Sequence, residues 1–430
     1  MTGSPRAIGL DFGTTNSVVA LGHDGAAEMI GFDGPLGHDS AFRSALCFWQ
    51  DDAARGGLAS DAGPWAIAEY LEYPEESRFL QSFKTVAASA SFDTASIFHK
   101  RYRFEELGKI FLDRLVAHAG GALNDRPARI VVGRPVEYAG GRPDHALARQ
   151  RYDAMFAGFG TEVHYVYEPL AAAYSYASRL AEPATILVAD FGGGTSDFSV
   201  VRVEAAGAVQ RCTPLGHAGI GIAGDRFDYH ILDRLVLPLL GKGSHYRSFD
   251  KILEIPRSWF NDFGDWSRLA LMRSPKILTE LERLRRTAID AEAIGRMIAV
   301  IEKEQGYPLN EAVGRAKRAL STAETTAFSF RGGGLSIEAE LDRTQFEEWV
   351  SADVARLEET VDRALNAAGT AMSAIDRVFL TGGTSLIPRI RRIFTDRFGE
   401  AAIDSGGELT SIGHGLALIG LEDDIQAWGA

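Results

Sequence analysis

The sequence predicts an α/β fold, because one hairpin design occurs twice and because strands alternate with helices around both copies. In residues 8–16 an apolar run leads to Asp11, a glycine-rich turn with threonine follows, and a second β-rich run begins. Residues 186–197 repeat this order around Asp190. Two copies of the design indicate a duplicated fold in which the two hairpins face each other across a cleft.

The individual elements follow from local patterns. Residues 101–118 place Phe104, Phe111 and Leu115 on one stripe of a helix. The helix predicted at 168–180 begins with Glu168-Pro169, since proline is favoured at the first helical position. The other predicted helices are 144–158, 226–240, most of 274–321, 342–366 and 387–398. The predicted strands are 7–10, 17–21, 45–49, 128–132, 162–166, 185–189, 197–203, 328–341 and 377–380.

Two charged helical segments have a functional and a structural interpretation. In 274–321 the apolar spacing is compatible with a coiled-coil partner face, but a surface helical subdomain that packs on its own neighbours is favoured. Arg389, Arg391, Arg392 and Arg397 look like an anion patch, but a solvated helix face paired with acids is the more common arrangement.

Composition restricts the class of protein. The 430 residues are 46% hydrophobic and 24% charged, which is typical of a globular protein with two or three domains. The net charge of −13 argues against nucleic-acid and membrane partners. Two cysteines and no signal-peptide pattern indicate a cytoplasmic protein without a disulfide framework. The ten histidines show no metal-ligand spacing.

The two hairpins have the composition of a clamp for a polyphosphate and its metal ion. Glycine lets backbone N–H groups approach an anion closely, and threonine hydroxyls add donors. Asp11 and Asp190, each at a strand end, offer hard oxygens to Mg²⁺, directly or through water. A structural role alone would not account for the same arrangement twice.

Several segments, in their order along the chain, resemble the ATPase domain of DnaK-type heat-shock chaperones, within the actin/hexokinase-like superfamily. Residues 8–20 and 187–200 resemble the two phosphate loops, and residues 378–392 resemble the adenosine loop. The remaining similar segments are 167–177, 223–228 and 315–321. Within that family the chain most resembles the YegD-like branch, which carries a longer insert and no peptide-binding domain.

This resemblance implies an actin-like ATPase fold of two lobes, each built on a duplicated ribonuclease-H-like βββαβα core. Lobe I is expected at 1–182, and lobe II at 183–376 with a helical insert at about 229–313. Residues 377–430 would complete lobe II with the adenosine loop and a C-terminal helix. No peptide-binding domain is expected.

The resemblance also implies roles for the residues around the phosphates of ATP or ADP. Asp11 and Asp190 would hold Mg²⁺ and its waters, and Glu168 would contact the water shell of the metal. Lys84 would reach the γ-phosphate and the attacking water, with Asp190 and Asp197 nearby. The residues expected on the β- and γ-phosphates are Gly13, Thr14, Thr15 and Asn16 from one side and Gly192, Gly193, Gly194 and Thr195 from the other.

On the nucleoside side, the resemblance places Lys317, Arg318 and Ser321 over the adenosine. Gly382, Gly383 and Thr384 would lie beneath it. Two positions depart from the family pattern: Gly314 replaces a ribose-contacting glutamate, and Leu386 replaces an arginine that stacks on adenine. Residues 409–415 lack an expected aspartate.

Three of these residues also have ordinary structural explanations. Lys84 by itself would be a surface lysine, Glu168 an acid at a helix start, and Asp197 a turn cap.

The leading functional prediction is a slow, Mg²⁺-dependent, ATP-hydrolysing, chaperone-like protein that cycles between open and closed lobes to control a protein partner. A nucleotide-sensing interaction module with negligible turnover is the principal alternative. A small-molecule kinase and an actin-like filament protein are further alternatives.

Overall fold

The computed structural model describes most of the chain. The described residues are 5–35, 37–54, 56–74, 76–124, 126–127, 129–140, 142–160, 162–180, 182–206, 209–264, 269, 272–406 and 410–428, with the backbone alone at 205, 206, 209–211, 262, 405 and 427. The first residue of the strand predicted at 128–132 and residue 409 of the segment 409–415 lie outside this set. No helix in the described part of the chain combines the length and apolar character that a membrane span requires.

The strands are numbered in chain order. They are β1 Ala7–Phe12, β2 Asn16–His23, β3 Ala26–Met29, β4 Phe32–Gly34, β5 Gly37–Asp39, β6 Phe42–Arg43, β7 Ala45–Gln50, β8 Leu58–Ala62, β9 Ser77–Gln81, β10 Ala95–Ile97, β11 Lys100–Tyr102, β12 Arg129–Arg134, β13 Glu162–Tyr167, β14 Ala184–Phe191, β15 Ser196–Ala206, β16 Val209–Ile220, β17 His245–Ser248, β18 Lys251–Glu254, β19 Thr325–Gly332, β20 Leu335–Asp342, β21 Arg377–Thr381 and β22 Ile403–Ser405.

The α-helices are likewise numbered in chain order. They are α1 Gly63–Glu72, α2 Phe104–His118, α3 His145–Phe156, α4 Glu168–Ala177, α5 Gly224–Ile231, α6 Ser258–Asn261, α7 Pro275–Thr287, α8 Ala291–Glu302, α9 Gly306–Leu320, α10 Arg343–Ala367, α11 Pro388–Phe398 and α12 Ser411–Ile419. Two 3₁₀ turns matter for the site, namely Phe83–Val86 and Gly383–Leu386.

The chain divides into two compact units. The first contains residues 1–72, 77–224 and 354–430, and the second contains 73–76 and 225–353. The first unit holds two mixed sheets with the same strand arrangement. One has the order β13-β12-β1-β2-β3 and the other has the order β16-β15-β14-β21-β22. In each sheet the central strand pairs antiparallel with the strand that follows it and parallel with a later strand.

The two central strands are buried over their whole length, because each lies between neighbours on both sides. Every residue of β1 and of β14 is buried. Helix α12 packs on β1, β2 and α4, and glycine makes this close packing possible. A Cβ at Gly9 would lie 2.2 Å from the Ala417 nitrogen, and one at Gly415 would lie 1.8 Å from the Ala171 oxygen.

The second unit is mostly helical. Helices α7 and α8 pack together, and α9 packs on β19 of the β19–β20 hairpin. Leu281, Ile294, Ile298 and Ile301 from the predicted apolar stripe are buried. This burial supports the interpretation of 274–321 as a helical region that packs on its own neighbours.

Most predicted elements are confirmed to within a few residues. The helix predicted at 101–118 begins at Phe104, because Lys100–Tyr102 pairs with β10 as a strand. The helix predicted at 226–240 is α-helical only to Ile231 and continues as a π turn and a 3₁₀ turn. Strand β16 is not predicted from the sequence, because Pro214 and Gly216 interrupt the apolar alternation that is typical of a strand.

Candidate functional site

The two glycine-rich hairpins have the same strand register and the same loop length. In the first, Phe12 pairs with Ser17, and in the second, Phe191 pairs with Ser196. Each pair encloses a loop of four residues, at 13–16 and at 192–195. The sequence-level duplication is therefore a duplication of backbone pairing as well.

The second loop approaches both the first loop and the segment that follows β21. A Cβ built on Gly194 would lie 3.7 Å from Thr14 Oγ1 and 3.7 Å from Thr85 Cγ2. Gly382, with φ of 83°, lies so close to the end of β14 that its Cβ would be 2.0 Å from the Phe191 carbonyl oxygen. Only glycine fits there. The structure thus brings together the three glycine turns that the sequence singled out.

Buried serines support both loops. Ser44 Oγ donates to the Gly13 carbonyl at 2.6 Å and lies 2.9 Å from Ser17 Oγ, and the Ser44 N–H donates to the Thr15 carbonyl. In the second loop, the Gly192 N–H donates to the Thr195 carbonyl at 2.9 Å. Ser196 Oγ donates to the Ile222 carbonyl at 2.6 Å.

Lys84 is a buried cation rather than a surface lysine. It lies in the 3₁₀ turn Phe83–Val86, which begins after Ser82 in a left-handed conformation with φ of 55°. The turn directs Lys84 inward, where its Nζ is 2.6 Å from Glu168 Oε1 and both side chains are less than a tenth exposed. Burial opposes the charged form of Lys84, but Glu168 and Asp11 outweigh it and raise the pKa above the ordinary lysine value.

Glu168 occupies the first position of α4, with Pro169 behind it. Strand β12 leaves room for it, since a Cβ at Gly133 would lie 3.1 Å from Glu168 Cγ and 3.7 Å from Asp11 Cα. A Cβ at 133 would require the glutamate side chain to shift by a few tenths of an ångström. Glu168 thus has two roles, since it begins α4 and also pairs with the buried Lys84 from a distant segment.

Asp11 and Asp190 are buried carboxyl groups that favour their protonated forms. Burial, reinforced by Glu168 and opposed by Lys84, raises the pKa of Asp11 to about 7. Burial and repulsion from Glu168, Asp197 and Asp11 hold the pKa of Asp190 well above the usual range. Several acids that repel one another around a single lysine form a region that favours an added cation.

Asp197 lies directly opposite Asp190 in the second hairpin. Its Oδ1 accepts the Glu137 N–H at 3.1 Å, and Gly219 makes this possible because a Cβ there would lie 2.3 Å from that oxygen. Its Oδ2 is buried and has no hydrogen-bond partner among the described residues. Burial and Glu168 raise its pKa to about 8. Asp197 is thus a fixed carboxyl group, and one of its oxygens has no partner among the described residues.

This donor set fits a hydrated magnesium ion. The described residues contain no group of three His, Cys, Asp or Glu side chains in a direct metal-ligating arrangement. Magnesium in phosphate sites usually keeps several waters and contacts only one or two carboxylates. Buried acids with raised pKa values and the unpartnered Asp197 oxygen are the groups that such an ion and its waters would stabilise.

The segment after β21 forms a tight turn. Ser385 Oγ donates to the Gly382 carbonyl at 2.6 Å, and Thr384 is buried. Leu386 at the end of this turn is 54% exposed. Gly383 leaves open space, since a Cβ there would meet nothing within 4 Å.

Lys317, Arg318 and Ser321 belong to the second unit. Lys317 Nζ bonds Asp228 Oδ2 at 2.8 Å, and Arg318 lies 3.9 Å from Glu311. The Ser321 N–H donates to the Arg318 carbonyl as α9 ends. At Gly314, a Cβ would lie 3.3 Å from Arg318 Nη1. Their expected place over the adenosine remains a prediction.

Three of the four arginines of α11 have acidic partners, so the helix does not present an open anion patch. Arg389 pairs with Glu358, Arg391 with Glu400, and Arg397 with Asp362. This agrees with the interpretation of a solvated helix face.

Several supporting residues have no counterpart in the sequence analysis. These residues come from segments outside the two hairpins, namely Ser44, Ser82, Gly133, Glu137 and Gly219. Ser44 acts through its hydroxyl and its N–H, and the others act through backbone groups or through the absence of a side chain. No local sequence pattern marks such residues. The nearest signal is Gly133 itself, which precedes Arg134-Pro135 at the end of a buried strand.

Two mixed sheets of equal strand order define the chain as a mixed α/β protein. The model of the Hsp70 protein family matches residues 81–242 and 299–419, which is more than half of the chain. The chain therefore belongs to the Hsp70 protein family, whose members are ATP-binding, chaperone-like ATPases with an actin-like fold. The match omits residues 243–298 and the first hairpin.

Proposed function

We propose that this protein binds and hydrolyses ATP with Mg²⁺ at the junction of its two glycine-rich loops. The single observation that supports this most is the buried Lys84–Glu168 ion pair at 2.6 Å among Asp11, Asp190 and Asp197. Burying this many ionisable groups costs stability. A catalytic site for phosphoryl transfer accounts for that cost, and membership of the Hsp70 family supports the same reaction.

The loops would bind the phosphates. Backbone N–H groups and threonine hydroxyls of 13–16 approach from one side, and those of 192–195 approach from the other. Gly382, Gly383 and Thr384 would lie beneath the adenosine, with Lys317, Arg318 and Ser321 above it. Mg²⁺, when bound, neutralises phosphate charge and carries ordered waters. Asp11, Asp190 and Glu168 would hold those waters.

The catalytic residues would be Lys84, Glu168, Asp190 and Asp197. Glu168 holds the Lys84 ammonium in one place, so that Lys84 can donate to the γ-phosphate and to the attacking water. Once a bound cation favours the ionised form of Asp197, its Oδ2 would accept a proton of that water, because the Glu137 N–H already fixes Oδ1. Positioning and charge neutralisation account for most of the catalysis of phosphoryl transfer.

We further propose that each sheet with its helices is one ribonuclease-H-like core, and that the two cores form lobes that open and close around the nucleotide. The equal strand order of the two sheets supports this. Lobe I would cover 1–182 and lobe II 183–430, with the helical insert at about 229–313. Closure would then regulate a protein partner. We propose that the protein is a cytoplasmic, chaperone-like member of the YegD-like branch.

The test is Mg²⁺-dependent phosphate release from ATP by the wild type and by Lys84→Ala. We expect the variant to lose at least about 100-fold in turnover, since Lys84 contacts the transferred group. Nucleotide binding, measured by calorimetry, should remain within several-fold. Lys109→Ala, which removes an exposed lysine of α2, is the matched control and should keep full turnover.

Lys84→Ala also leaves Glu168 buried without its ion pair, which costs about 3–5 kcal/mol of stability. Its melting temperature must therefore be measured beside the activity, and the double variant Lys84→Ala, Glu168→Gln separates catalytic loss from unfolding. Equal turnover in Lys84→Ala and the wild type would disprove the role of Lys84.

A nucleotide-sensing module with negligible turnover is the second candidate. The exposed Leu386 and the absence of a side chain at Gly314 favour it, because both reduce contacts to the nucleoside. Calorimetric ATP binding without phosphate release in the wild type would establish this alternative.

A further inference from the structure

The hairpin β17–β18 in the second unit carries an aromatic residue where hairpins rarely have one. Ser248 pairs with Lys251, so the loop has only two residues, Phe249 and Asp250. Such loops favour Asn or Gly at positions with positive φ. Here Phe249 has φ of 53° and is fully exposed. A bulky residue in that conformation is strained and gains no burial in return.

An open groove of about 450 Å³ begins at this turn. Its apolar lining includes Tyr246, Phe249, Trp259 and Leu284. Two further exposed aliphatic side chains, Ile252 on β18 and Ile289 after α7, belong to the same segment. The groove thus combines exposed aromatic surface with a concave shape, as do many peptide-binding sites.

The charge of the groove has one sign. Arg247 and Arg283 line it, and none of the described residues that line it is acidic. Among the described residues neither arginine has a carboxylate partner, whereas the neighbouring Arg257 pairs with Glu254 and Arg285 with Glu282. In a chain of net charge −13, these two guanidinium groups beside the exposed ring of Phe249 favour an anionic ligand.

The groove also lies outside the part of the chain that the family model matches. All its lining residues fall within 243–298, between the two matched segments. The family match therefore gives no role to this surface.

We propose that this groove binds an acidic, aromatic-containing peptide segment of a partner protein. The carboxylates of the segment would pair with Arg247 and Arg283, and an aromatic or aliphatic side chain would pack against Phe249 and Trp259. Carboxylates match the planar donor geometry of guanidinium groups. A long polyanion such as a nucleic acid fits less well, because the net charge of −13 on the chain would repel its phosphates beyond the two arginines.

This inference depends on the residues of the groove and not on ATP hydrolysis. Its test therefore uses the full chain without nucleotide, so that failure here leaves the proposed ATPase untouched. The probe is a fluorescein-labelled peptide of about ten residues that alternates Asp or Glu with Phe or Leu. A peptide with Lys at every acidic position and an oligothymidine of similar length are the comparison probes.

We expect the acidic peptide to bind and the lysine peptide not to bind. The double variant Arg247→Glu, Arg283→Glu should weaken binding at least about tenfold, since both guanidinium contacts become repulsive. Arg257→Glu with Arg285→Glu is the matched control, because these arginines are already paired. It should change the affinity less than about threefold. Equal losses in the two double variants, or no binding of the acidic peptide at about 1 mM, would overturn the proposal.

A second variant separates binding from folding. Phe249→Asn places a residue that tolerates positive φ at the turn, so the melting temperature should stay equal or rise. Binding of the acidic peptide should nevertheless fall several-fold. Unchanged binding in this variant would overturn the role of Phe249, and tighter binding of oligothymidine than of the acidic peptide would overturn the choice of ligand.

Discussion

The first glycine-rich hairpin and the second share strand register and loop length, but they differ in the residue opposite the aspartate. In the first, Asp11 faces Val18, and in the second, Asp190 faces Asp197. Two adjacent buried carboxyl groups are costly, and here burial, with Asp197 contributing, holds the pKa of Asp190 well above its usual range. The same backbone thus carries one acid in the first hairpin and two in the second. We infer that both hairpins hold phosphate and metal, and that the second also supplies the proton acceptor.

The largest expected effect on turnover comes from removing Asp197, the acid that only the second hairpin has. Asp197→Asn keeps the shape and the bond from the Glu137 N–H, but it removes the acceptor. Phosphate release should fall at least about 100-fold while ATP affinity changes only several-fold. The measurement is single-turnover phosphate release beside calorimetric binding.

Asp11→Asn is the matched change in the first hairpin. It should lower turnover mainly by raising the Mg²⁺ concentration that half-saturates the reaction. If the two variants lost turnover equally at every Mg²⁺ concentration, the proposed division of roles between the hairpins would be wrong. Thr195→Ala should also reduce turnover with the fold intact, because it removes a hydroxyl that we propose donates to the phosphates.

The first glycine of each loop gives a comparison of backbone packing. A Cβ at Gly13 would lie 2.1 Å from the Asn16 carbonyl oxygen, whereas one at Gly192 would lie 3.3 Å from that of Thr195. The first contact cannot occur without moving the loop, and the second needs a shift of a few tenths of an ångström. Urea unfolding should therefore show a loss of about 2–3 kcal/mol for Gly13→Ala and about 1 kcal/mol or less for Gly192→Ala. Equal losses would mean that the first loop relaxes as readily as the second.

The raised pKa values predict how stability changes with pH. Folded Asp11 and Asp197 keep their protons to about pH 7 and about pH 8, whereas the ordinary value is 3.8. At pH values between 3.8 and the raised pKa of each group, the folded protein binds more protons than the unfolded chain. These groups therefore lower the free energy of unfolding as pH rises from about 4 to about 8.

Asp197→Asn removes one of these contributions. In thermal unfolding without nucleotide, the free energy of unfolding of the variant minus that of the wild type should increase from pH 4 to pH 8 by on the order of 1–3 kcal/mol. Mg²⁺ with ADP should make this difference in the free energy of unfolding smaller, because a bound cation favours the ionised carboxylate. A difference in stability that does not vary with pH would show that Asp197 titrates normally.

The sequence alone predicts the hairpins and most helices, because glycine turns, apolar periodicity and the Glu168-Pro169 helix start are local signals. It does not predict the register match that sets Asp197 against Asp190, since pairing depends on both strands. The sequence also does not predict the groups that hydrogen-bond the first loop and Asp197. Ser44 reaches the first loop from 31 residues away, and the Glu137 N–H reaches Asp197 from 60 residues away.

Burial explains the remaining difference between sequence and structure. Lys84 has no local pattern that marks it as buried, and its pairing with Glu168 joins residues 84 positions apart. The raised pKa values of Asp11 and Asp197 likewise require the packed structure, because desolvation is their largest cause. Residue patterns alone do not single out Lys84, and its predicted role depends on the resemblance to a family.

The smallest expected effect concerns the two serines that follow the loops. Ser17 and Ser196 hold equivalent register positions and are fully buried. Ser196→Ala leaves the buried Ile222 carbonyl without its hydroxyl donor, whereas Ser17→Ala leaves Ser44 with its bond to the Gly13 carbonyl. Urea unfolding should show losses of about 1–2 kcal/mol for Ser196→Ala and about 0.5–1 kcal/mol for Ser17→Ala. The reverse order would mean that the Ser17–Ser44 contact, and not the bond to Gly13, is what holds the first loop in place.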